Sequence, residues 1–287
     1  MAQRLSPAGD AMANSSVGVA LAAPLALFLF IALVLPMLGI LAFSFIGGET
    51  PTANYGAVLT TPVFLMVIAR TLLLGLIVAI VTTLLAFLFS LWVLRLSAKV
   101  KVIVVAAIVM PFFISYLLRA LSWIPVLGFN GLLNNLLMAA GLTEAPLSLI
   151  YNPFAVVLGT SNALFPMACL PLLAAFHKVD QRLIQAAHSL GATSFTAFRQ
   201  VFLPLVMPAT LSTAVMIFAV ATGFYITPSI LGGGRVLLAP NLIELLIHRR
   251  GEWGTGAALT VILLVVFMAS ILLARSLSST RFGRKSA

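Results

Sequence analysis

Six long apolar runs dominate this chain, and they constrain its fold more than any other feature of the sequence. They cover roughly residues 21–45, 63–94, 102–123, 153–176, 201–226 and 255–275. A helix of about 20 mostly apolar residues crosses the hydrocarbon core of a membrane, and within lipid its backbone satisfies its own hydrogen bonds. We therefore predict an all-α, polytopic membrane protein with about six transmembrane helices.

The composition excludes two other classes of protein. Hydrophobic residues make up 62% of the chain and charged residues only 8%, whereas a soluble domain carries about 25% charged residues. The net charge of +10 does not indicate nucleic-acid binding, because the basic residues lie in short gaps between the apolar runs rather than in one cluster. The single cysteine, Cys169, excludes a disulfide framework within the chain.

The basic residues also predict the orientation of the chain. Lys and Arg accumulate in cytoplasmic loops, and eleven of them lie on one side of the predicted spans against five on the other. We expect the first side to be cytoplasmic, with both termini inside. The eleven are Arg4, Arg95, Lys99, Lys101, Lys178, Arg182, Arg199, Arg275, Arg281, Arg284 and Lys285, and the five are Arg70, Arg119, Arg235, Arg249 and Arg250.

The chain is predicted to form one membrane domain with two short tails. The tails are a cytoplasmic N-terminal segment, 1–20, and a basic cytoplasmic segment, 278–287, on either side of a transmembrane domain over 21–277. The first apolar run is too long for a signal-peptide core, so we expect it to be retained. Each of two outer loops, 129–146 and 232–256, is predicted to hold a short helix, the first capped at Asn130 and ended by Gly141.

The longest polar gap on the predicted cytoplasmic side contains "QAAHSLGATSFTAFRQVFLPLVMP", residues 185–208. Asp180 is a suitable N-cap for a short helix over 182–190. One apolar face of that helix follows i, i+3, i+4, i+7 spacing and consists of Leu183, Ala186, Ala187 and Leu190. Two interpretations are open: the helix docks into a groove of a partner protein, or it rests on the lipid headgroups.

The residues after this helix predict a bend and a return into the membrane. Gly191 can end the helix or allow another backbone to approach closely. Thr193 or Ser194 can cap a second helix, in which three phenylalanines share the i, i+3, i+7 spacing, before two prolines at the start of the next span. These residues are Phe195, Phe198, Phe202, Pro204 and Pro208.

The spacing in this stretch resembles the cytoplasmic EAA signature of ABC importer permeases, a family of MetI-like inner-membrane subunits. Gln185-Ala186-Ala187 is followed by three residues, Gly191, nine residues and Val201-Phe202-Leu203-Pro204, where the family has EAA, x3, G, x9, I-x-L-P. The resemblance implies that 180–204 is a coupling segment, with Gln185, Ala186, Ala187, Gly191, Ala192, Leu203 and Pro204 acting in contact with the ATPase. Gln185 and Val201 depart from the pattern, and the missing charge at Gln185 implies a weaker or different contact with a basic residue of the ATPase.

Softer matches extend the resemblance from about Pro24 to Leu277 and point to the spermidine/putrescine, PotB-type subgroup. They include "NYGAVL", "VMPFFISYLLRALSW" and "LIELLIHRRGEWGTGAA". The family implies a bacterial inner-membrane location, a second permease subunit that is identical or different, two ABC ATPase subunits and a periplasmic solute-binding protein. It implies that Mg-ATP binds to the partner ATPase and that this chain holds no cofactor.

Several polar and aromatic residues within or beside the spans are candidates for a substrate path. Arg119 is predicted near the outer interface, where it either snorkels as an anchor or lines the path. Asn162, near the middle of its span, either bonds another helix or lines the path. Tyr116 and Tyr225 belong either to an aromatic belt or to a cavity that holds a cation.

The sequence shows no motif for catalysis, ATP hydrolysis or metal binding, so we expect a transport subunit and not an enzyme. The resemblance favours polyamines as the solute, but the predicted spans contain no Asp or Glu. The arginines suit another small solute equally well, such as an amino-acid derivative, an opine, a phosphonate or a metal chelate. An ion-coupled secondary transporter is the alternative of another class, and the missing membrane acid counts against it.

Overall fold

The computed structural model describes residues 7–282, and within that range the chain forms helices and no strand. The predicted all-α class is therefore confirmed for the described residues. The helices are α1 Pro7–Phe43, α2 Ala53–Thr60, α3 Pro62–Leu94, α4 Ala98–Val109, α5 Tyr116–Leu121, α6 Ile124–Leu127, α7 Leu132–Ala139, α8 Pro153–His177, α9 Gln181–Ser189, α10 Ser194–Ala197, α11 Leu203–Thr222, α12 Ile226–Leu231, α13 Ala239–Glu244 and α14 Trp253–Phe282.

Five helical stretches are long and apolar enough to cross a membrane. They are Ala23–Phe43, Pro62–Leu94, Tyr116–Ala139, Pro153–His177 and Ser194–Thr222, and a shorter apolar stretch, Trp253–Ala269, lies in α14. Five of these six stretches match predicted runs to within several residues, whereas Tyr116–Ala139 shares only residues 116–123 with the predicted run 102–123 and includes α7 of the predicted outer loop. Arg4 and the last five residues of the predicted basic tail, 283–287, lie outside the described residues.

The centre of the bundle is the packing of α3, α8 and α11 against one another. Small side chains such as Ala86, Ala168 and Ala221 are buried there, as is usual where membrane helices approach closely without a hydrophobic driving force. Gly75 of α3 has the same effect, because a Cβ at this position would collide with the side chain of Thr222 on α11. The last turn of α11 therefore packs against the middle part of α3.

Two of the predicted spans are interrupted where they meet in the bundle. In the third predicted run, 102–123, α4 gives way to a 3₁₀ turn over Met110–Phe113, an extended residue at Ile114 and then α5. Pro111 in that turn lacks an N–H group for a continuing helix, and Ser115 caps α5 through the N–H group of Leu117. The fifth predicted run, 201–226, is interrupted by Gly223–Tyr225 between α11 and α12.

The two predicted loop helices are present, with one correction. In the first loop Gly141 follows the helix with a φ of 68°, as predicted, but α7 starts after Gly131 and not at Asn130. Asn134 fixes that loop, since its Oδ1 accepts from the N–H of Leu147 at 2.9 Å and its Nδ2 donates to the carbonyl of Gly128 at 3.0 Å. In the second loop α13 continues as a π turn over Leu245–Arg249.

Candidate coupling segment and helix-break site

The predicted coupling segment forms a short helix with a defined start and end. The carboxylate of Asp180 accepts the N–H of Arg182 at 2.9 Å, so it caps α9 as the sequence predicts. At the other end the N–H of Gly191 donates to the carbonyl of His188 at 2.9 Å, and the N–H of Ala192 donates to that of Ala187 at 3.0 Å. This pair of bonds is a Schellman motif, in which residues of the signature bond to one another.

Gly191 is required here by its backbone conformation. Its φ is 86°, in the left-handed region that costs other L-residues energy. Apart from Gly191 itself and its two chain neighbours, no described residue has an atom within 4 Å of the position that a Cβ would occupy. The close approach suggested by the sequence is therefore not made within the described chain, and the space beside Gly191 is open to a partner.

A second helical stretch leads from the coupling segment into the bundle. Thr193 caps α10 by accepting the N–H of Thr196 at 3.3 Å, so Thr193 and not Ser194 is the cap. A π turn over Phe198–Phe202 then precedes α11. Pro204, at the start of α11, has no N–H to donate to the preceding turn, which is consistent with the wider turn there.

The phenylalanines of this stretch do not form the single face that their spacing predicts. Phe202 is buried, stacks on Phe198 at 5.7 Å and meets the ring of Phe176 on α8 edge-on at 5.2 Å. Phe195, in contrast, is exposed. Aromatic contacts therefore fix the π turn to α8, while Phe195 faces away from the bundle.

The α9 helix presents two different faces. The predicted apolar face is directed away from the chain, with Leu190 89% exposed and Leu183 48% exposed. Of the other signature residues, Gln185, Ala186, Gly191 and Pro204 are exposed, whereas Ala187, Ala192 and Leu203 are half-buried. The opposite face carries Ile184, which packs against the bundle core. Gln181, Ile184 and His188 share an i, i+3, i+7 spacing, which is the sequence signal for this second face.

The candidate path residues Tyr116 and Arg119 gather at the two interrupted helices. The guanidinium of Arg119 lies over the ring of Tyr116, with 4.6 Å between Cζ and the ring centroid. The Tyr116 ring meets that of Phe224 edge-on at 5.2 Å, and Nη1 of Arg119 donates to the carbonyl of Ala163 at 3.3 Å. We refer to Tyr116, Arg119, Ala163 and Phe224 as the helix-break site, because both breaks meet there.

The guanidinium of Arg119 lies inside the bundle against α8 and does not extend to the surface of the described chain. Ala163 is about ten residues from the start of α8, or about 15 Å along a helix, which is half the thickness of a hydrocarbon core of about 30 Å. The side chain is 9% exposed, and Nε and Nη2 have no hydrogen-bond acceptor among the described residues. A snorkelling anchor keeps its charge in water, so this geometry favours the path alternative for Arg119.

Asn162 and Tyr225 lie next to the helix-break site in the chain but make no ring contact or hydrogen bond with it among the described side chains. Asn162 is exposed on α8, and its amide shows no bond to another described residue. Both predicted roles of Asn162, a bond to another helix and a place on the path, therefore stay predictions. Tyr225 is exposed, and its carbonyl accepts from Nδ2 of Asn241 at 3.3 Å.

Phe224 and Ala163 are the site residues that sequence reasoning missed. Phe224 had a weak signal, since it follows a glycine near the end of an apolar run. Ala163 had none, because it contributes a backbone carbonyl. Two buried hydroxyls on the adjacent turn of α8, those of Thr160 and Ser161, also have no partner among the described residues.

Comparison with known proteins places the chain in a family. The model of the binding-protein-dependent transport system inner membrane component matches residues 100–282. The spermidine/putrescine transport system permease protein PotB of Haemophilus influenzae is 32% identical over 210 residues, which are 72% of this chain and 73% of that protein. PotB of Escherichia coli K12 is 28% identical over 213 residues, 74% of this chain and 77% of that protein.

Solved structures agree at the level of the fold. A bacterial ABC transporter involved in the import of the acidic polysaccharide alginate matches with a TM-score of 0.78 at 18% identity, over 98% of this chain and 100% of the other. The same type of transporter, in complex with an alginate pentasaccharide-bound periplasmic protein, also matches with a TM-score of 0.78, at 20% identity over 94% and 96% of the two chains. At such low sequence identity, the similarity shows the fold of this chain and gives no information about its solute.

The family match covers more than half of the chain, and the relative from Haemophilus influenzae matches nearly three quarters of it. Both findings favour an ATP-driven importer over the ion-coupled secondary transporter. The chain belongs to the family of binding-protein-dependent transport system inner membrane components, and it is a multi-pass inner-membrane permease of an ABC importer.

Proposed function

We propose that this permease carries polyamines of the spermidine/putrescine type into the cell. The observation that carries the proposal is the similarity to two PotB proteins over more than 70% of each chain. The helix-break site adds physical support, because Tyr116, Phe224 and the neighbouring Tyr225 place aromatic rings where both helices are interrupted. Aromatic faces attract alkylammonium groups, and interrupted helices often form solute sites in transporters.

The charge of the solute requires help from outside this chain. The six acidic residues of the chain are Asp10, Glu49, Glu144, Asp180, Glu244 and Glu252, and all lie outside the predicted spans. The buried guanidinium of Arg119 repels a cation at short range. Carboxylates of a second permease subunit or of the binding protein would therefore neutralise the solute's charge, while this chain supplies aromatic surface.

A second solute class has one observation in its favour. Arg119 is buried with two N–H donors that no described acceptor meets, and such donors suit an anionic or zwitterionic solute. The alternatives are an amino-acid derivative, an opine, a phosphonate or a metal chelate. The choice between these and polyamines is made by the uptake experiment below.

Transport would be driven through the coupling segment. We place α9 on the cytoplasmic side, with both termini inside, and we place an ATPase subunit against the exposed face of Leu183 and Leu190. Mg-ATP would bind and be hydrolysed on two such subunits, beneath this chain and a second permease, while a periplasmic binding protein delivers the solute. A tenfold shift between inward and outward access requires about 1.4 kcal/mol of preferential ATP binding to one state.

The test has two parts, both on the full complex. The tagged chain is purified in mild detergent from its native membrane, and the accompanying proteins are identified by mass spectrometry. We expect an ATP-binding subunit and a second permease, and recovery of the chain alone would contradict the proposed assembly. Uptake of radiolabelled putrescine and spermidine is then compared in cells with and without the chain, and loss of polyamine uptake in cells without it supports the proposal. Unlabelled anionic and zwitterionic solutes are added as competitors, and the proposal is overturned if those solutes compete for uptake and unlabelled polyamines do not.

A further inference from the structure

A pocket lies between the coupling segment and the end of α3, on the face of α9 opposite the predicted docking face. Its volume is about 400 Å³, within the range of ligand pockets in proteins. The floor is apolar and the rim is polar. The floor consists of Leu91, Leu94, Ile184, Ala197, Phe198 and Phe202, and the rim of Arg95, Gln181, His188 and Ser194.

The rim offers hydrogen-bond donors that the chain itself does not use. Arg95 has no ion pair with an acidic side chain among the described residues, and the side chains of Gln181 and Ser194 can both donate. Nδ1 of His188 donates to the carbonyl of Ala192 at 3.0 Å, since a carbonyl can only accept. Its Nε2 has no partner among the described residues.

The surroundings of the pocket place its mouth at the edge of the apolar bundle. Trp92, one turn before Arg95 on α3, and Phe195, next to Ser194, are both exposed large aromatics. Aromatic residues of this kind concentrate at the membrane–water interface. The segment that follows Arg95 in the chain is basic: Lys99 is exposed, and Nζ of Lys101 lies 3.1 Å from Nε2 of His177.

We propose that this pocket binds an anionic phospholipid of the cytoplasmic leaflet. The phosphate would bind Arg95, Gln181 and Ser194, and the first carbons of an acyl chain would contact Leu91, Leu94 and Phe198. Arg95 supplies the positive charge that attracts an anionic headgroup at the cytoplasmic surface of a membrane. The assignment rests on the proposed cytoplasmic position of α9, and it concerns the face of α9 that the ATPase does not contact.

A bound lipid would connect the two elements that must move relative to each other during coupling. Arg95 caps the end of α3, whereas Gln181, Ile184 and His188 lie on α9. A phosphate held by both elements would stabilise the position of the coupling helix on the bundle. The importer should therefore respond to the anionic lipid content of its membrane.

The experiment measures lipid retention and does not depend on transport. The complex is purified in mild detergent, and the phosphatidylglycerol that it retains is counted by native mass spectrometry. The test variant is Arg95→Gln, and the matched control is Lys99→Gln, which removes an exposed charge of the same basic region outside the pocket lining. Since Arg95→Gln removes the charged hydrogen bonds to the phosphate, we expect the test variant to lose phosphatidylglycerol by about tenfold or more and the control to retain it.

Equal retention in all three proteins would overturn the site, because the lipid would then be held by general surface charge. Binding of glycerol 3-phosphate by delipidated protein, with no lipid retained before delipidation, would overturn the lipid assignment. If the purified protein carried no ATPase but still retained phosphatidylglycerol in a manner that depends on Arg95, the proposed function would be contradicted and the pocket assignment would stand. If the complex imported polyamines normally but retained the same amount of phosphatidylglycerol with and without Arg95, the pocket assignment would be contradicted and the proposed function would stand.

Discussion

The coupling segment and the helix-break site are built in opposite ways. The coupling segment is local: its cap, its Schellman motif and its second cap join residues that are two to five positions apart. The helix-break site joins Tyr116 and Arg119 to Ala163 and to Phe224, which come from three separate parts of the chain. The comparison shows that this permease presents a self-contained local structure towards its proposed motor and assembles its proposed path from interrupted helices.

The two regions also differ in how their polar groups are satisfied. In the coupling segment both ends of α9 are capped by residues of the segment itself, and the apolar side chains Leu183 and Leu190 are exposed. In the helix-break site the charged side chain is buried, and two donors of Arg119 lack an acceptor among the described residues. We infer that the first region needs a partner for its apolar surface, whereas the second needs a ligand or another conformation for its charge.

The largest expected effect is at Arg119. We expect Arg119→Met to change solute uptake by about tenfold or more, because it removes a positive charge from the proposed path. Uptake of a cationic polyamine should rise, and uptake of an anionic or zwitterionic solute should fall. The thermal midpoint of the purified complex should stay the same or rise, because an apolar residue of similar size replaces a guanidinium with unmet donors. Uptake and thermal unfolding are measured on the same preparation.

Arg70→Met is the matched control for that experiment. Arg70 is another arginine within a predicted apolar run, and it is half-buried. Its one described polar contact is from Nη2 to the Sδ of Met66, at 3.8 Å. Its replacement should change uptake by less than about twofold. A clear fall in the thermal midpoint of the Arg119 variant would instead show that Arg119 mainly clamps α5 to α8.

The next effect concerns the exposed face of α9. We expect Leu190→Glu to reduce recovery of the ATPase with the permease by about tenfold, because burial of a Leu contributes about 1.5–3 kcal/mol and a charge cannot replace it. The thermal midpoint of the isolated chain should not change, since Leu190 contacts little of its own chain. The measurement is the amount of ATPase that copurifies.

Leu142→Glu controls for a charge placed on any exposed leucine. Leu142 is 71% exposed and follows α7, so it lies near the opposite end of α8 from the coupling segment. This variant should recover the ATPase as well as the parent chain does. Equal loss in both variants would mean that the effect at Leu190 is not a docking effect.

Gly191 separates the backbone requirement from the contact requirement. Asn and Asp both tolerate a positive φ better than other non-glycine residues, and a Cβ at Gly191 would meet no other described residue beyond its chain neighbours. We expect Gly191→Asp and Gly191→Asn to insert normally and to lose ATPase stimulation to a similar extent, about fivefold, because each occupies space reserved for the partner. Normal stimulation in Gly191→Asn would show that only the φ of 86° matters.

The same contrast explains how much of the molecule the sequence can predict. Asp180, Thr193 and Gly191 were predictable because caps and left-handed glycines act over a few residues. The interruptions at Ile114 and Gly223 were not, because long apolar runs predict a span but not the point at which its helix stops. The contact of Arg119 with the carbonyl of Ala163 depends on which helices are neighbours, and hydrophobicity alone does not specify neighbours within a membrane.

The smallest expected effect is at Gln185, where the chain departs from the family signature. Gln185 is exposed on the flank of α9, and Glu has the same length and restores the charge. Because exposed ion pairs contribute about 0.2–1 kcal/mol, Gln185→Glu should strengthen or weaken ATPase binding by no more than about fivefold. Gln185→Ala is the comparison that removes the hydrogen-bonding group without adding charge. If Gln185→Glu abolished assembly while Gln185→Ala did not, the groove of this ATPase would have to reject a carboxylate, and the docking contact would differ from the one that the signature implies.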